Sequence, residues 1–145
     1  MEALRVGWKE YVDLPDLGVH RLKAKIDTGA RSSSLHCASV EVRGDTVHVV
    51  VPPDRRRDGD PVEASAPLAG WTVVRSSNAG EERRPVIETG LVLGPEHRRI
   101  RLTLSDRTGM LFRLLLGRTA LEGVTVDPAA RYVMGRRRNT SDRRP

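Results

Sequence analysis

The sequence predicts an all-β chain, and three observations carry that expectation. Ile100, Leu102 and Leu104 alternate with Arg99, Arg101 and Thr103, the period-two pattern of a half-buried strand. Leu22, Ala24 and Ile26 share one face at the same period. Short turn clusters divide such runs, and only Thr119 to Glu122 suggests a helix, a short one that Gly123 stops.

From the N-terminus, Leu4 to Leu14 is an apolar–polar stretch that Pro15 and Gly18 interrupt, and Val19 to Ile26 is the next strand. Leu35 to Val42, the Arg43-Gly44-Asp45 turn and Val47 to Val51 read as a hairpin. Pro52 to Pro67 holds Arg55, Arg56, Arg57, Asp58, Gly59 and Asp60, and reads as an exposed loop. Trp71 to Arg75 is a strand, Ser76 to Gly80 a turn or hairpin tip, and Val86 to Leu93 continues the sheet. Beyond the Ile100–Leu104 strand, Asp106 to Gly109 turns the chain into Leu111 to Leu116. No internal repeat is visible.

At 145 residues, with 38% hydrophobic and 30% charged content, the chain is sized and composed for one globular domain. No apolar run approaches the ~20 residues of a membrane span. The N-terminal MEALRVGWKEY does not read as a signal peptide, and a single cysteine, Cys37, excludes an internal disulfide framework. Together these lead us to expect a cytoplasmic protein with no membrane association. The net charge of +6 is uneven, because Arg136, Arg137, Arg138, Arg143 and Arg144 stand against Asp142 in the last ten residues. We expect residues 1–135 to form the domain and 136–145 a disordered Arg-rich tail. Weak docking on nucleic acid would go through that tail alone.

The residues that point to chemistry lie in two short motifs. Asp27-Thr28-Gly29-Ala30 follows directly on the Val19–Ile26 strand. Alone, Asp-Thr-Gly is also ordinary turn chemistry. Near the other end, Leu115-Leu116-Gly117-Arg118 runs from a buried strand into the short helix. An aliphatic strand entering Asp-Thr-Gly-Ala, a hairpin, then aliphatic-aliphatic-Gly-Arg and a helix resembles the layout of retropepsin-type aspartic proteases. On that resemblance Asp27 is the carboxylate that works on a water, with Thr28 and Gly29 completing the catalytic loop. Leu115, Leu116, Gly117 and Arg118 would be its structural support. The chain has one Asp-Thr-Gly, whereas an aspartic protease shares a proton between two carboxylates. The expectation is a two-fold homodimer with one Asp27 from each subunit.

The resemblance extends further. Gly7 to Pro15, Lys23 to Leu35, Arg84 to Thr89, Asp106 to Leu121 and Val126-Asp127-Pro128 are similar to one bacterial group. It is named as ATP-dependent zinc proteases, the RimB-like retropepsin-fold proteins. The resemblance implies a closed retropepsin-like all-β barrel and a homodimer. It also implies association with ATP-grasp ligases and trimming of glutamate tails from a ribosomal-protein substrate. The residues do not support the group's label: there is no phosphate-binding Gly-rich loop and no HExxH. The histidines (His20, His36, His48, His97) are scattered and read as surface or partly buried, and His36 and Cys37 should point to opposite faces of a strand. No metal site and no cofactor are expected.

One departure bears on substrate. Viral retropepsins commonly place an acid after Asp-Thr-Gly-Ala to pair with the second motif's Arg, whereas here Arg31 and Ser32 follow Ala30. Arg118 must therefore find another partner, and the cleft floor gains positive charge suited to a polyanionic substrate. The substrate-binding candidates are Ala30, Arg31 and Ser32 together with Arg75, Ser76, Ser77 and Arg84, the last four if the Ser76–Gly80 tip covers the cleft. Arg107 and Arg113 are further candidates. Two other readings stand beside the peptidase: a non-catalytic basic β-barrel that binds ribosome, RNA or an ATP-grasp ligase, and the same peptidase acting on another amide-linked amino-acid tag. The 3% aromatic content leaves few stacking platforms for nucleic acid.

Overall fold

The computed structural model describes residues 3–52, 60–76, 80–106 and 111–135. Its strands are β1 (Arg5–Val6), β2 (Lys9–Leu14), β3 (Val19–Ile26), β4 (Ser33–His36), β5 (Ser39–Arg43) and β6 (Thr46–Val51). They continue with β7 (Val62–Pro67), β8 (Gly70–Ser76), β9 (Gly80–Leu93), β10 (Glu96–Ser105), β11 (Leu114–Leu116) and β12 (Thr125–Val126). Two 3-10 turns, Pro15–Leu17 and Arg118–Ala120, complete the described elements.

The alternation read in the sequence builds the core. Leu22, Ala24 and Ile26 of β3 are buried, as are Ile100, Leu102 and Leu104 of β10, while Lys25, Arg99 and Arg101 are exposed. Strands β10, β4, β11, β3, β2 and β9 are joined in that order, and β9 pairs back on β10. The six therefore close into a barrel, with β8 added outside on β9. Burying one Leu or Val in such an interior contributes about 1.5–3 kcal/mol, so these alternating runs drive closure. A three-stranded sheet, β5-β6-β7, packs Val47, Val49 and Val51 onto the same core. Strands β1 and β12 form a two-stranded parallel sheet, where Arg5 faces Thr125 and Val6 faces Val126. There Asp127 accepts from the Ala129 N–H and from Arg5, which hold its carboxyl below the usual carboxylate range.

Strand β11 sets up the site. It lies parallel to β3, with Leu114 beside Ala24 and Leu116 beside Ile26, and antiparallel to β4, with Leu115 beside Ser34. The end of β3 and the start of β4 thus flank the end of β11. The loop from Asp27 to Ser32 has to cross in front of Gly117.

Several expectations need correction. Pro52 to Pro67 is not loop throughout, because β7 occupies Val62–Pro67 and pairs with β6 from Val51↔Val62 to Thr46↔Pro67. Its inward positions Val62, Ala64 and Ala66 are small, so the alternation is faint. The Leu35–Val42 strand is two strands in different sheets, divided at Cys37 and Ala38, whose N–H groups bond Ser105 and Val50 carbonyls. His36 is buried, deeper than the surface or partly buried setting expected of the histidines, and Cys37 beside it is buried too. The strand expected over Leu111 to Leu116 spans only Leu114–Leu116, and β9 starts at Gly80, not Val86. The short helix expected over Thr119 to Glu122 is the single 3-10 turn Arg118–Ala120. Arg55, Arg56 and Arg57, Ser77 in the 76–80 tip, Arg107 in the 106–109 turn and the 136–145 tail lie outside the described residues.

Candidate active site

Strand β3 ends at Ile26, and its ladder with β11 runs one bond further, from the Asp27 N–H to the Leu116 carbonyl at 2.8 Å. The chain then turns sharply. Asp27 Oδ1 accepts the Gly29 N–H at 3.1 Å, and the Asp27 carbonyl accepts the Ala30 N–H at 3.2 Å. The short carboxylate arm thus fastens its own loop, the local chemistry that favours Asp ahead of a glycine turn. Asp27 is half-buried, and Thr28 and Gly29 are exposed.

The second motif grips this loop along its length. Arg118 N–H donates to the Ala30 carbonyl at 2.8 Å, and Thr119 N–H to the Arg31 carbonyl at 3.0 Å. Gly117 N–H donates to Ser33 Oγ at 3.0 Å, and the Arg118 guanidinium to the Thr28 carbonyl at 3.0 Å. Gly117 is required by the closeness of this approach. A Cβ there would lie 2.4 Å from the Ser32 carbonyl oxygen and 2.9 Å from that of Ala30. From outside, Arg98 of β10 donates to the Ala120 and Glu122 carbonyls at 3.1 and 2.8 Å, tethering the 3-10 turn to the barrel wall.

The structure thus brings together Asp27, Thr28, Gly29, Ala30, Arg31, Ser32, Leu116, Gly117 and Arg118. Arg118, deprived of an acid after Ala30, is satisfied by a backbone carbonyl. Arg31 and Ser32 are exposed at the loop's far end, and Leu115 is half-buried beside Lys25 and Ser34. The hairpin candidates have partners within their own hairpin: Arg75 pairs with Glu81 at 3.1 Å, and the nearly buried Arg84 with Glu82 at 3.0 Å. Ser76 ends β8. Ser33 went unnoticed in the sequence because only the register of β4 against β11 turns its hydroxyl to Gly117. Among the described residues, no three His, Cys, Asp or Glu side chains converge on a metal-sized site.

This geometry, an Asp-Thr-Gly loop braced by a Leu-Gly-Arg strand end inside a closed β-barrel, agrees with comparison to known proteins. The profile of the RimB-like family, described as retropepsin-like aspartic endopeptidase RimB, matches residues 5–137. The chain belongs to the RimB-like family. Two proteins named probable alpha-L-glutamate ligase are similar, from Desulfotalea psychrophila (33% identical over 135 residues) and Parasynechococcus marenigrum (37% over 137). Each match covers 90% of this chain, which spans only 29% of those relatives' length. A crystal structure of a Legionella pneumophila protein titled as of unknown function superposes with a TM-score of 0.74. It is 28% identical, and the match covers 90% of this chain and 98% of that one. For this RimB-like chain the retropepsin-like all-β barrel is the fold, and no helix among its described residues is long and apolar enough to cross a membrane.

Proposed function

We propose that this RimB-like protein is a dimeric aspartic-type peptidase that hydrolyses amide-linked, glutamate-rich tails on a protein substrate. The observation that carries the reading is the braced Asp27 loop: a half-buried carboxylate whose backbone is held at both ends by Arg118, with little freedom to drift. One carboxylate is half of the required chemistry, and the partner subunit's Asp27 supplies the other.

With one proton shared across the pair, the ionised carboxylate takes a proton from water as its oxygen attacks the amide carbonyl carbon. The protonated carboxylic acid then delivers its proton to the amide nitrogen. The C–N bond breaks, leaving a carboxylic acid and a free amine, and the dyad is restored. Exposed Arg31 offers a fixed positive charge to the substrate's carboxylates. A glutamate tail fits as substrate because similar segments occur within proteins named for joining alpha-L-glutamate. A hydrolase beside a ligase of the same linkage makes the modification reversible. On this reading an ATP-grasp ligase is a natural partner, and the 136–145 tail a weak polyanion contact.

The test is mass spectrometry of a glutamate-tailed peptide incubated with the protein and with Asp27→Asn. Stepwise loss of glutamate mass with the wild type alone is expected. Shortening by both proteins contradicts the assignment of Asp27. A second reading, a tail-binding module without hydrolysis, is favoured by the ligase names of the relatives. It predicts that both proteins bind the tailed peptide and neither shortens it.

A further inference from the structure

Strand β2 is paired unequally on its two sides. It pairs with β3 from Lys9↔Lys25 to Leu14↔Val19, but with β9 only at Asp13↔Val92. Beside its first half, residues 127–135 take the place of a neighbouring strand. Trp8 N–H donates to the Ala130 carbonyl at 2.7 Å, and Tyr132 N–H to the Lys9 carbonyl at 2.9 Å. The Tyr132 ring stacks on Tyr11 at 4.9 Å. Further on, Met134 packs against the core and fills the space that Gly94 leaves in the β9–β10 turn, where a Cβ would collide with its sulfur. Gly7 leaves the same kind of room for the Ala130 carbonyl. This strap closes the seam between β2 and β9.

A single side chain clasps the strap. Glu10 is wholly buried. Its Oε2 accepts the N–H groups of Gly7 at 2.7 Å and Val133 at 2.8 Å, and its Oε1 accepts that of Met134 at 3.0 Å. Burying a carboxylate is costly, and an apolar side chain of similar volume would hold a barrel at least as well. What an apolar side chain cannot do is fix backbone N–H groups by direction. The strap is also strained: Tyr132 has φ 52°, the left-handed region that a bulky residue rarely enters. A fold that tolerates both costs in one place holds that place to a defined geometry.

The clasp is connected to Asp27 through the backbone. Gly7, whose N–H Glu10 holds, leads into Trp8. The Trp8 carbonyl accepts the Ile26 N–H at 2.8 Å, and the next N–H, that of Asp27, goes to the Leu116 carbonyl at 2.8 Å. The last two N–H groups before the Asp27 turn are thus held by different segments. One is held by the second motif, the other by the strand edge that Glu10 and the strap secure. A displacement of about 1 Å at a reacting group lowers a rate roughly 100-fold, so both holds bear on the carboxylate's position.

Resting on the peptidase reading above, we propose that Glu10 is a positioning residue for Asp27. It clasps residues 130–134 to β2 and, through Gly7 and Trp8, holds the edge of the Asp27 strand that the second motif does not reach. Being wholly buried, Glu10 touches no substrate, and its carboxylate acts on backbone N–H groups alone. The strap belongs to the support of the site together with Leu116, Gly117 and Arg118.

The test compares full-length wild type with Glu10→Gln, which keeps the shape of the side chain but sets an amide N–H against the strap's donors. Amide hydrogen exchange by NMR is the readout that needs no activity. The Trp8 and Ile26 amides should exchange about tenfold faster, while those of Leu102 and Leu104 in β10 stay as they were. On a glutamate-tailed peptide kcat should fall about tenfold with KM unchanged, the pattern of a misplaced reacting group. Val49→Ala, in the three-stranded sheet away from the strap, is the control for a merely structural role. It should lower the melting temperature without singling out Trp8 and Ile26. Tyr11→Ala, which removes the stack on Tyr132, is the milder second variant should Glu10→Gln not fold, and should quicken the same two amides. An Ile26 amide indifferent to these variants, or amides that all quicken together as in Val49→Ala, overturns the proposal. If Glu10→Gln shortens tails as fast as wild type, this proposal fails and the peptidase reading stands. An Ile26 amide that answers to Glu10→Gln in a protein whose wild type shortens no tail does the reverse.

Discussion

The Arg118 guanidinium donates to the carbonyl of Thr28 at 3.0 Å, joining the two ends of the chain's chemistry across 90 residues of sequence. The same residue's N–H holds the Ala30 carbonyl, so one arginine clamps the loop on both sides of Gly29. Because Arg118 is exposed, its loss should cost stability little, about 1 kcal/mol or less. It should nevertheless cost activity heavily, since misplacing a reactive group by about 1 Å lowers rates roughly 100-fold. Arg118→Ala is expected to melt close to wild type while kcat on a glutamate-tailed peptide falls by that order. Parallel melting and kinetic measurements check it; equal kcat would detach the clamp from catalysis.

Ser33 presents the opposite balance. It is 1% exposed, and its hydroxyl accepts the Gly117 N–H. Ser33→Ala leaves a buried donor without its acceptor, at about 1–3 kcal/mol. The urea midpoint should fall accordingly with the slope unchanged.

Gly117→Ala should be worse. Its Cβ would sit 2.4 Å from the Ser32 carbonyl oxygen, and backbone cannot yield as a side-chain tip can. Overpacking of this kind costs about 1–3 kcal/mol, and here the displaced backbone is the Asp27 loop itself. Loss of activity should exceed the loss expected from stability alone, measured as kcat at a temperature where the variant remains folded.

Burial, with the Asp106 charge adding to it, pushes the Cys37 thiol up to about 12. The folded state therefore holds this proton more tightly than the unfolded chain, whose thiol titrates near about 8.5. The stability so contributed is fully present below that value and is lost as pH rises toward 12. Denaturation midpoints should decline between about pH 9 and 12, and Cys37→Ala should flatten that decline. At neutral pH the thiol should resist alkylation until the protein unfolds.

The β3 and β10 strands were legible because each pairs strong aliphatic residues inward with charged ones outward. Strand β7 was hidden because Ala64 and Ala66 carry too little apolar surface to mark a face. The break between β4 and β5 falls at Cys37-Ala38, where neither glycine nor proline signals it. At the site, Asp27 to Ala30 and Leu115 to Arg118 were legible as motifs because their chemistry is local. Ser33 was not, since its place beside Gly117 depends on the register between strands that no single segment encodes.

The claim that two Asp27 carboxylates act as one site is tested most directly by mixing subunits. A fixed, low concentration of wild-type protein is equilibrated with increasing Asp27→Asn protein, and tail shortening is followed by mass spectrometry. Mixed dimers hold one carboxylate and one amide, so activity should fall steadily as the variant captures wild-type subunits. Activity that stays constant as Asp27→Asn is added would mean that each Asp27 works alone, and would contradict the shared site.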